Sequence, residues 1–218
     1  ALERVVIATK GGHTRGPNAT WWIDGSPAYL AAAARASLAR LGLDELPLYQ
    51  HHRPDPRTPY AESMGALRQL VDDGLVRRVG VSNVDLAQLA VARRELGDAL
   101  VSVQNEYSPL AGDAAVLRAC ERAGLAFLAY SPLGGMREAK QAVGGMGAFA
   151  DIARERGVSP QRIAIAWLLA ASPSLIPIPG ASRPESVRDS AAAAALALEA
   201  GELTRLNAAA GPAQASPV

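Results

Sequence analysis

Residues 4–10 read Arg-Val-Val-Ile-Ala-Thr-Lys, and residues 46–52 read Leu-Pro-Leu-Tyr-Gln-His-His. Each stretch is a short apolar run that ends on a basic side chain, Lys10 in the first and His52 in the second. Apolar runs of this length are typical of strands buried in a parallel sheet. Because the carboxyl ends of parallel strands share one face, where α/β folds place their chemistry, Lys10 and His52 are candidates for one functional site.

Lysine is scarce in this chain, which makes Lys10 informative. The other lysine is Lys140, and arginine supplies the remaining basic side chains. The ammonium of a lysine is a compact charge whose pKa moves on burial, whereas the charge of an arginine is fixed. A lysine at a strand end therefore indicates a role that arginine cannot fill.

The composition bounds the class of protein. With 218 residues, of which 49% are hydrophobic and 20% charged, the chain is long enough for one sizeable core. A formal net charge of +1 gives no electrostatic case for a nucleic-acid or membrane partner. A single cysteine, Cys120, excludes an internal disulfide framework and fits a reducing compartment. No apolar stretch approaches the length needed to span a bilayer, so we expect a cytoplasmic protein.

Strand-like and helix-like segments alternate along the chain. The pairs Ser26-Pro27 and Ser159-Pro160 are typical of helix starts, with a capping serine followed by proline in the first turn. The pattern predicts β/α units with a parallel sheet in a single domain over 1–218, with a frayed tail over 208–218. The predicted helices are 27–40, 60–73, 86–96, 114–123, 148–156, 160–169 and 185–200, and the strand segments are 4–10, 46–52, 77–83, 99–107, 125–133 and 174–183.

Six motifs, in order over essentially the whole chain, resemble the aldo-keto reductase family. They are Ile-Ala-Thr-Lys at 7–10, Leu-Tyr-Gln-His-His-Arg-Pro-Asp-Pro at 48–56, Gly-Val-Ser-Asn at 80–83, Gln-Asn-Glu-Tyr-Ser-Pro-Leu at 104–110, Ala-Tyr-Ser-Pro-Leu at 129–133 and Ile-Pro-Gly-Ala-Ser-Arg-Pro-Glu at 178–185. One such motif would be weak evidence, whereas six in register are specific.

The resemblance implies a (β/α)8 TIM barrel, of which this chain holds about six β/α units. It also implies an oxidoreductase that reduces an aldehyde or ketone to an alcohol by hydride transfer from a nicotinamide cofactor, without a metal. In this family a tyrosine acid is assisted by a lysine, an aspartate and a histidine, and Lys10 and His52 match the lysine and histidine. Such groups suit the reaction, because negative charge develops on the carbonyl oxygen as hydride arrives.

The same resemblance assigns the cofactor site. Ser82, Asn83 and Gln104 match the residues that bind the carboxamide, and Tyr130 matches the one that stacks on the nicotinamide. We expect NADPH rather than NADH, because Arg183 adds a charge for a 2′-phosphate at the start of the last helix. The remaining predicted cofactor-binding residues are Ser131, Leu133, Gly135, Gly180, Ala181, Ser182 and Ser186.

The sequence departs from the family pattern at its start. In the family, two strands, an aspartate and the acidic tyrosine precede the strand that ends in the lysine, and here only a handful of residues do. Three explanations remain open. A segment before residue 1 carries these elements, another chain supplies them, or the protein is a short relative that binds the cofactor without reducing a carbonyl. Of the tyrosines present, Tyr49, Tyr60 and Tyr107 are not confident replacements.

The loops leave the particular carbonyl substrate and the oligomeric state unidentified. Trp21 and Trp22 follow Lys10 closely and either line the mouth of the substrate site or pack the loop over the barrel. We expect His13 and His51 to be structural or solvent-facing. Because side chains alternate along a strand, His51 and His52 should lie on opposite faces. The alanine- and arginine-rich usage suggests a bacterial source.

Overall fold

A computed structural model describes residues 5–134 and 147–211 of the chain. The chain forms two compact units, Ala1–Gln104 and Asn105–Val218. Parallel strands alternate with helices in both, so the predicted α/β class is confirmed. The strand that begins at Leu100 starts in the first unit and ends in the second.

The first unit contains four parallel strands, paired in the order β1, β4, β5, β6. Strands β4 and β5 are each followed directly by an α-helix, as the sequence predicted, whereas two short strands stand between β1 and its helix. The elements are β1 (Ala8–Gly11), β2 (His13–Arg15), β3 (Trp21–Ile23), α1 (Pro27–Leu41), β4 (Leu48–His51), α2 (Tyr60–Asp72), β5 (Val79–Ser82), α3 (Leu86–Leu96) and β6 (Leu100–Glu106).

Helix boundaries in this unit follow local capping chemistry. Ser26 precedes α1, and its hydroxyl accepts a hydrogen bond from the Tyr29 N–H at 3.3 Å. The helix ends at Leu41, and the capping residue after it, Gly42, adopts a left-handed conformation with φ of 64° that glycine tolerates best. Asp85 and Gln88 form a reciprocal capping box at the start of α3.

The segment after Lys10, which the sequence analysis treated as a loop, contains a short antiparallel hairpin. Strand β2 pairs with β3, with His13 opposite Ile23 and Arg15 opposite Trp21. Three-residue strands are too short to show a period of two in the sequence. The hairpin comes directly after the end of β1, so it is covalently close to Lys10.

Helix α1 packs onto β4 through a contact that requires a glycine on β1. The Tyr49 hydroxyl donates a hydrogen bond to the Leu30 carbonyl at 3.1 Å, and Tyr49 is fully buried. A Cβ at Gly11 would lie 1.9 Å from the Tyr49 hydroxyl oxygen. The residue directly after Lys10 must therefore lack a side chain.

In the second unit, β7 pairs in parallel with β8. One predicted helix, 185–200, is wrong. Helix α7 ends at Ala192, a 3-10 turn follows at Ala193–Ala195, and a separate helix begins at Ala200. The elements are α4 (Ala114–Arg122), β7 (Ala126–Tyr130), α5 (Gly147–Arg156), α6 (Pro160–Ala171), β8 (Leu175–Pro177), α7 (Pro184–Ala192) and α8 (Ala200–Ala209).

The break in that predicted helix has a physical cause. Ala193 is buried against Ile165 and Ala166, which fixes the turn, and Glu199 forms a capping box with Glu202 that starts α8. Glu202 in turn accepts a 2.6 Å hydrogen bond from the guanidinium of Arg156 on α5. Tertiary contacts thus override the high helix propensity of the alanine run. Within the described part of the chain, no helix is long and apolar enough to cross a membrane.

Candidate active site

Lys10 and His52 stand on neighbouring strands of the first unit. β1 pairs in parallel with β4, placing Lys10 opposite Gln50, two residues before His52. The His52 N–H donates to the Gly11 carbonyl at 2.8 Å, which fixes the end of β4 against the end of β1. His51, one place earlier, is fully buried, whereas His52 is only half-buried, as expected for alternate faces of a strand.

The electrostatics keep His52 uncharged. Burial, with smaller contributions from His13, Lys10 and Arg53, lowers the pKa of His52 to about 4. Partial desolvation also lowers the pKa of the Lys10 ammonium, although much of the surface of that residue is exposed. At neutral pH His52 is therefore a neutral imidazole, which carries one N–H donor.

Three predicted cofactor residues form a hydrogen-bonded network with His52. The Ser82 hydroxyl donates to the main-chain carbonyl of Gln104 at 2.6 Å. The Asn83 side-chain amide donates to the His52 carbonyl and to Ser82 Oγ, both at 3.0 Å. The structure thus brings Ser82, Asn83, Gln104 and His52 together, and the amide of Asn83 helps to hold His52.

Two predicted cofactor residues have an uncommon backbone conformation. Asn83 has φ of 59° and, in the second unit, Ser131 has φ of 49°. Among the described residues, the other non-glycine residue with positive φ is Asn18. Left-handed backbone is costly for serine in particular, and such residues cluster at ligand sites. Each directly follows a strand, β5 and β7 respectively.

The end of β7 carries the next group of predicted residues. The Tyr130 carbonyl accepts from the Tyr107 N–H at 3.2 Å, and the Ser131 carbonyl accepts from the Gly134 N–H at 2.9 Å. The partly buried Leu133 side chain packs against the cluster of Ile165, Ala166 and Ala193. The prediction for Gly135 lies outside the described residues.

The start of α7 presents an exposed stretch that contains Gly180, Ala181, Ser182 and Arg183. Arg183 occupies the N-cap position without capping through its side chain, and its carbonyl accepts from the Ser186 N–H at 3.1 Å. The Arg183 side chain therefore makes no capping hydrogen bond at the start of α7. Asp189, further along α7, is engaged by Arg162 of α6 at 2.6 Å.

Two tyrosines of the first unit, Tyr49 and Tyr60, have buried hydroxyl groups. Tyr49 donates to the Leu30 carbonyl, and burial raises its pKa well above 10. Burial also raises the pKa of Tyr60. A phenol with a raised pKa is a poorer proton donor, so neither residue resembles a catalytic acid.

Sequence reasoning passed over a buried carboxylate beside this site. Asp55 Oδ2 accepts from the Gly25 N–H at 3.0 Å, and Asp55 forms a bidentate pair with Arg57. The hydrogen bonds and charge of Arg57 hold the pKa of Asp55 far below its usual range. Its place in the Arg53-Pro54-Asp55 motif, directly after His52, could have identified Asp55 as a residue of the site. Within the described residues, no group of histidine, cysteine, aspartate and glutamate could hold a metal ion.

Residues 1–210 match the family model described as the Aldo/keto reductase family. The chain belongs to the aldo-keto reductase family. Pyridoxine 4-dehydrogenase of Escherichia coli is 34% identical over 94% of this chain, and 6-dehydroglucose reductase of Novosphingobium aromaticivorans is 37% identical over 88%. These aldo-keto reductase relatives carry the names of oxidoreductases.

The structural likeness agrees with the sequence. The aldo/keto reductase from Klebsiella pneumoniae in complex with NADP and acetate superposes with a TM-score of 0.77 at 26% identity, covering 94% of this chain and 70% of that one. The fold is therefore that of an aldo-keto reductase barrel, as predicted. The chain spans about two thirds of the length of its curated relatives, 72% of the pyridoxine enzyme and 64% of the 6-dehydroglucose enzyme.

Proposed function

We propose that this aldo-keto reductase is an NADPH-dependent carbonyl reductase that converts an aldehyde or ketone into an alcohol by direct hydride transfer. The observation that carries the proposal is the pair of Lys10 and a neutral His52 at the ends of adjacent parallel strands. This pair supplies a positive charge and a hydrogen-bond donor, which are the groups that a developing alkoxide needs.

The roles of the two side chains follow from their protonation. Neutral His52 donates one hydrogen bond to the carbonyl oxygen and orients the substrate, and the network through Asn83 fixes the main chain behind it. Lys10 stabilises negative charge near that oxygen, and its partly desolvated ammonium strengthens the interaction.

The residues present fit a nicotinamide cofactor, whose contribution when bound is the hydride. In the first unit, the left-handed Asn83 and buried Ser82 and Gln104 offer the polar groups that a carboxamide requires. In the second unit, the exposed 180–183 stretch precedes the N-terminus of α7, where amide groups and Arg183 suit a phosphate. The charge of Arg183 supports NADPH over NADH.

The test is an NADPH-oxidation assay on the protein expressed from its complete coding sequence. The panel contains simple aldehydes and 6-dehydroglucose in the reductive direction, and pyridoxine with NADP⁺ in the oxidative direction. Lys10→Met should lower kcat/KM by about 100-fold or more, because it removes the charge beside the carbonyl oxygen.

The matched control is Lys10→Arg, which keeps the charge but fixes the pKa and enlarges the head group. We expect it to remain far below the wild type. Wild-type turnover in the Lys10→Met variant would refute the assignment of Lys10.

A second candidate is a nicotinamide-binding relative that does not reduce a carbonyl. The raised pKa values of Tyr49 and Tyr60 favour it, because these buried phenols make poor acids. It predicts NADPH binding, measured by quenching of tryptophan fluorescence, without aldehyde-dependent oxidation. An intact mass of 22.6 kDa for the purified protein would support this candidate, and a larger mass would point to an additional segment that carries the acid.

The remaining assignments complete the proposal. We propose a small-molecule carbonyl as the substrate, and a cytoplasmic location in a bacterium. The single cysteine, Cys120, which is buried in α4, supports the location, and the alanine- and arginine-rich composition supports the source.

A further inference from the structure

The hairpin formed by β2 and β3 is fixed at its base by three hydrogen bonds. The Asp24 N–H donates to the Gly12 carbonyl at 3.1 Å. The next residue, Gly25, donates its N–H to Asp55 Oδ2 at 3.0 Å and accepts from the Ser63 hydroxyl at 2.6 Å. The hairpin therefore has a defined position relative to β4 and α2.

Arg57 ties the second strand of the hairpin to the segment after His52. Its guanidinium binds both carboxylate oxygens of Asp55 at 3.1 Å and also donates to the Ile23 carbonyl. A carboxylate that binds a guanidinium in a bidentate manner imposes a fixed geometry. Because Ile23 stands opposite His13 in the hairpin, this attachment also fixes the main chain of His13.

The register of the hairpin places His13, Arg15 and Trp21 on one face. Arg15 stands opposite Trp21, and His13 precedes Arg15 by two residues on β2. Directly opposite residues of an antiparallel pair share a face, and side chains alternate between faces along each strand. Trp22, which stands opposite Thr14, therefore belongs to the other face.

The side chains of the first face form a continuous series that ends at His52. The Arg15 guanidinium carbon lies 4.8 Å from the centroid of the Trp21 ring, and that ring lies 4.7 Å from the His13 ring, centroid to centroid. The His13 ring meets the His52 ring edge-on, with centroids 4.8 Å apart. Cation–ring and edge-to-face contacts are favourable geometries, so each side chain limits the movement of the next.

The contact with His13 supplies what the main-chain bonds of His52 do not. The His52 N–H donates to the Gly11 carbonyl, and the His52 carbonyl accepts from the Asn83 side-chain amide. These bonds hold the backbone, but they do not restrict rotation of the imidazole about its side-chain torsions. The His13 ring touches the imidazole itself and therefore restricts the directions in which its nitrogens point.

We propose that His13 is a positioning residue, whose ring, backed by Trp21 and the Arg15 guanidinium, holds the imidazole of His52 in the orientation that the substrate carbonyl requires. This inference rests on the proposed function, because it takes the reacting carbonyl to bind at His52. His13 acts through His52 and is assigned no contact with the substrate.

The same contact has an electrostatic consequence that can be measured. Burial, and then the charges of His13, Lys10 and Arg53, lower the pKa of His52 to about 4, and the charge of His52 in turn lowers the pKa of His51. Burial and Arg53 also lower the pKa of His13. Removing the His13 ring would admit water to one side of His52 and remove a titrating neighbour. The pKa of His52 should therefore rise towards 6.5.

The first measurement is an NMR titration of the histidine side chains in the protein expressed from its complete coding sequence. The His52 signal is identified by its loss in His52→Gln. In His13→Ala the pKa of His52 should rise by about one pH unit or more, whereas His13→Phe, which keeps a ring in place, should stay close to the wild type. Trp22→Ala is the matched control, because it removes an exposed indole from the other face of the hairpin, and it should leave the pKa of His52 unchanged.

Kinetics provide the second readout. At pH 7, kcat/KM for a simple aldehyde should fall roughly tenfold in His13→Ala, and His13→Phe should restore most of it, because the phenyl ring retains the edge contact. The acidic inflection of the kcat/KM profile should move to higher pH in His13→Ala together with the pKa of His52. A role confined to hairpin stability would lower activity at every pH without moving the inflection.

The outcomes distinguish this inference from the proposed function. A wild type that oxidises no NADPH with any carbonyl would refute the proposed function, and a raised pKa of His52 in His13→Ala would still support His13 as the residue that holds the imidazole. An unchanged pKa of His52 in a folded His13→Ala, or a raised pKa with unchanged kcat/KM in an active enzyme, would overturn the inference. If His13→Ala does not fold, Trp21→Ala removes the backing of His13 and should change both readouts in the same direction. Wild-type values in Trp21→Ala would then overturn the inference.

Discussion

The rings of His51 and Tyr60 lie with their centroids 5.7 Å apart in the first unit, and the polar atoms of both are buried. Neither nitrogen of His51 nor the Tyr60 hydroxyl has a hydrogen-bond partner among the described residues. Burial lowers the pKa of His51 to about 4, a shift that His52 reinforces and Asp55 opposes. His51 is therefore a core residue that stays neutral, and its lack of partners makes protonation costly.

The stability of the protein should fall in acid because of His51. With a pKa of 6.5 when unfolded and about 4 when folded, the unfolded chain binds more protons between these values. Stability is therefore complete above pH 6.5 and declines as the pH falls towards 4, by about 3 kcal/mol from this residue. Urea unfolding of wild type and His51→Leu between pH 4 and 7 measures the difference.

The leucine variant should unfold at the same or a higher urea concentration at pH 7, because no hydrogen bond to His51 is lost. The free energy of unfolding of this variant should change less between pH 4 and 7 than that of the wild type. An identical slope in both proteins would mean that other groups account for the acid sensitivity.

Asn83 combines a left-handed backbone with side-chain bonds to His52 and Ser82, and two substitutions separate these contributions. Asn83→Gly keeps the conformation but removes the bonds, whereas Asn83→Ala also introduces strain. We expect Asn83→Ala to be less stable than Asn83→Gly by about 1 kcal/mol, measured by urea unfolding. Both should raise the KM for the carbonyl substrate, because the support of His52 is lost. Equal stability of the two variants would contradict the strain argument.

Arg57→Ala should loosen the hairpin while leaving the rest of the unit folded. The variant loses the bonds to Asp55 and to the Ile23 carbonyl, but Asp55 still accepts from Gly25. Hydrogen exchange measured by mass spectrometry should increase over residues 13–23 and little elsewhere. Arg94→Ala, which removes an exposed arginine paired with its neighbour Glu95, is the control and should exchange like the wild type. Unchanged exchange in Arg57→Ala would show that its bond to the Ile23 carbonyl does not hold the hairpin in place.

Arg183→Ala should discriminate between the two cofactors. Removing a guanidinium beside the start of α7 should weaken NADPH binding by roughly tenfold and leave NADH binding nearly unchanged, because NADH lacks the 2′-phosphate. Fluorescence titration at two salt concentrations measures both dissociation constants, and the difference should shrink as salt screens the charge. Equal losses for both cofactors would indicate a contact with a group that they share.

Much of the fold could be predicted from local chemistry. The serines at 26 and 159 each cap a helix, and Gly42 ends one, because these positions depend on a few neighbouring backbone groups. Strand positions were predictable to within a few residues: β1 begins at Ala8 and runs to Gly11, whereas the sequence indicated 4–10. Short-range signals of this kind do not require knowledge of packing.

Features that depend on distant contacts were missed. The alanine run after Glu185 satisfies helix propensity throughout, and the break at Ala193 comes from burial against α6. The Glu199 and Glu202 spacing was a readable signal for the start of α8. The hairpin was missed because its three-residue strands are too short to show a period of two, and because its attachment to Asp55 and Arg57 spans thirty or more residues of chain.

The candidate site was predictable in its residue types rather than in its connections. The motifs indicated Lys10, His52, Ser82 and Asn83, and the structure places all four at or directly after the ends of parallel strands. That the amide of Asn83 holds the carbonyl of His52 could not be read from the sequence, because it depends on the left-handed turn after β5.

The fixed base of the hairpin has a consequence for changing the protein by design. The anchors lie at Gly12, Asp24 and Gly25, while Pro17 and Asn18 in the turn are exposed, and neither strand of the hairpin belongs to the parallel sheet. Segment 13–23 is thus a module that can be grafted from one scaffold to another with both attachment points preserved. Libraries confined to it would vary the residues that adjoin His52 through His13 while leaving Lys10 and His52 in their original framework.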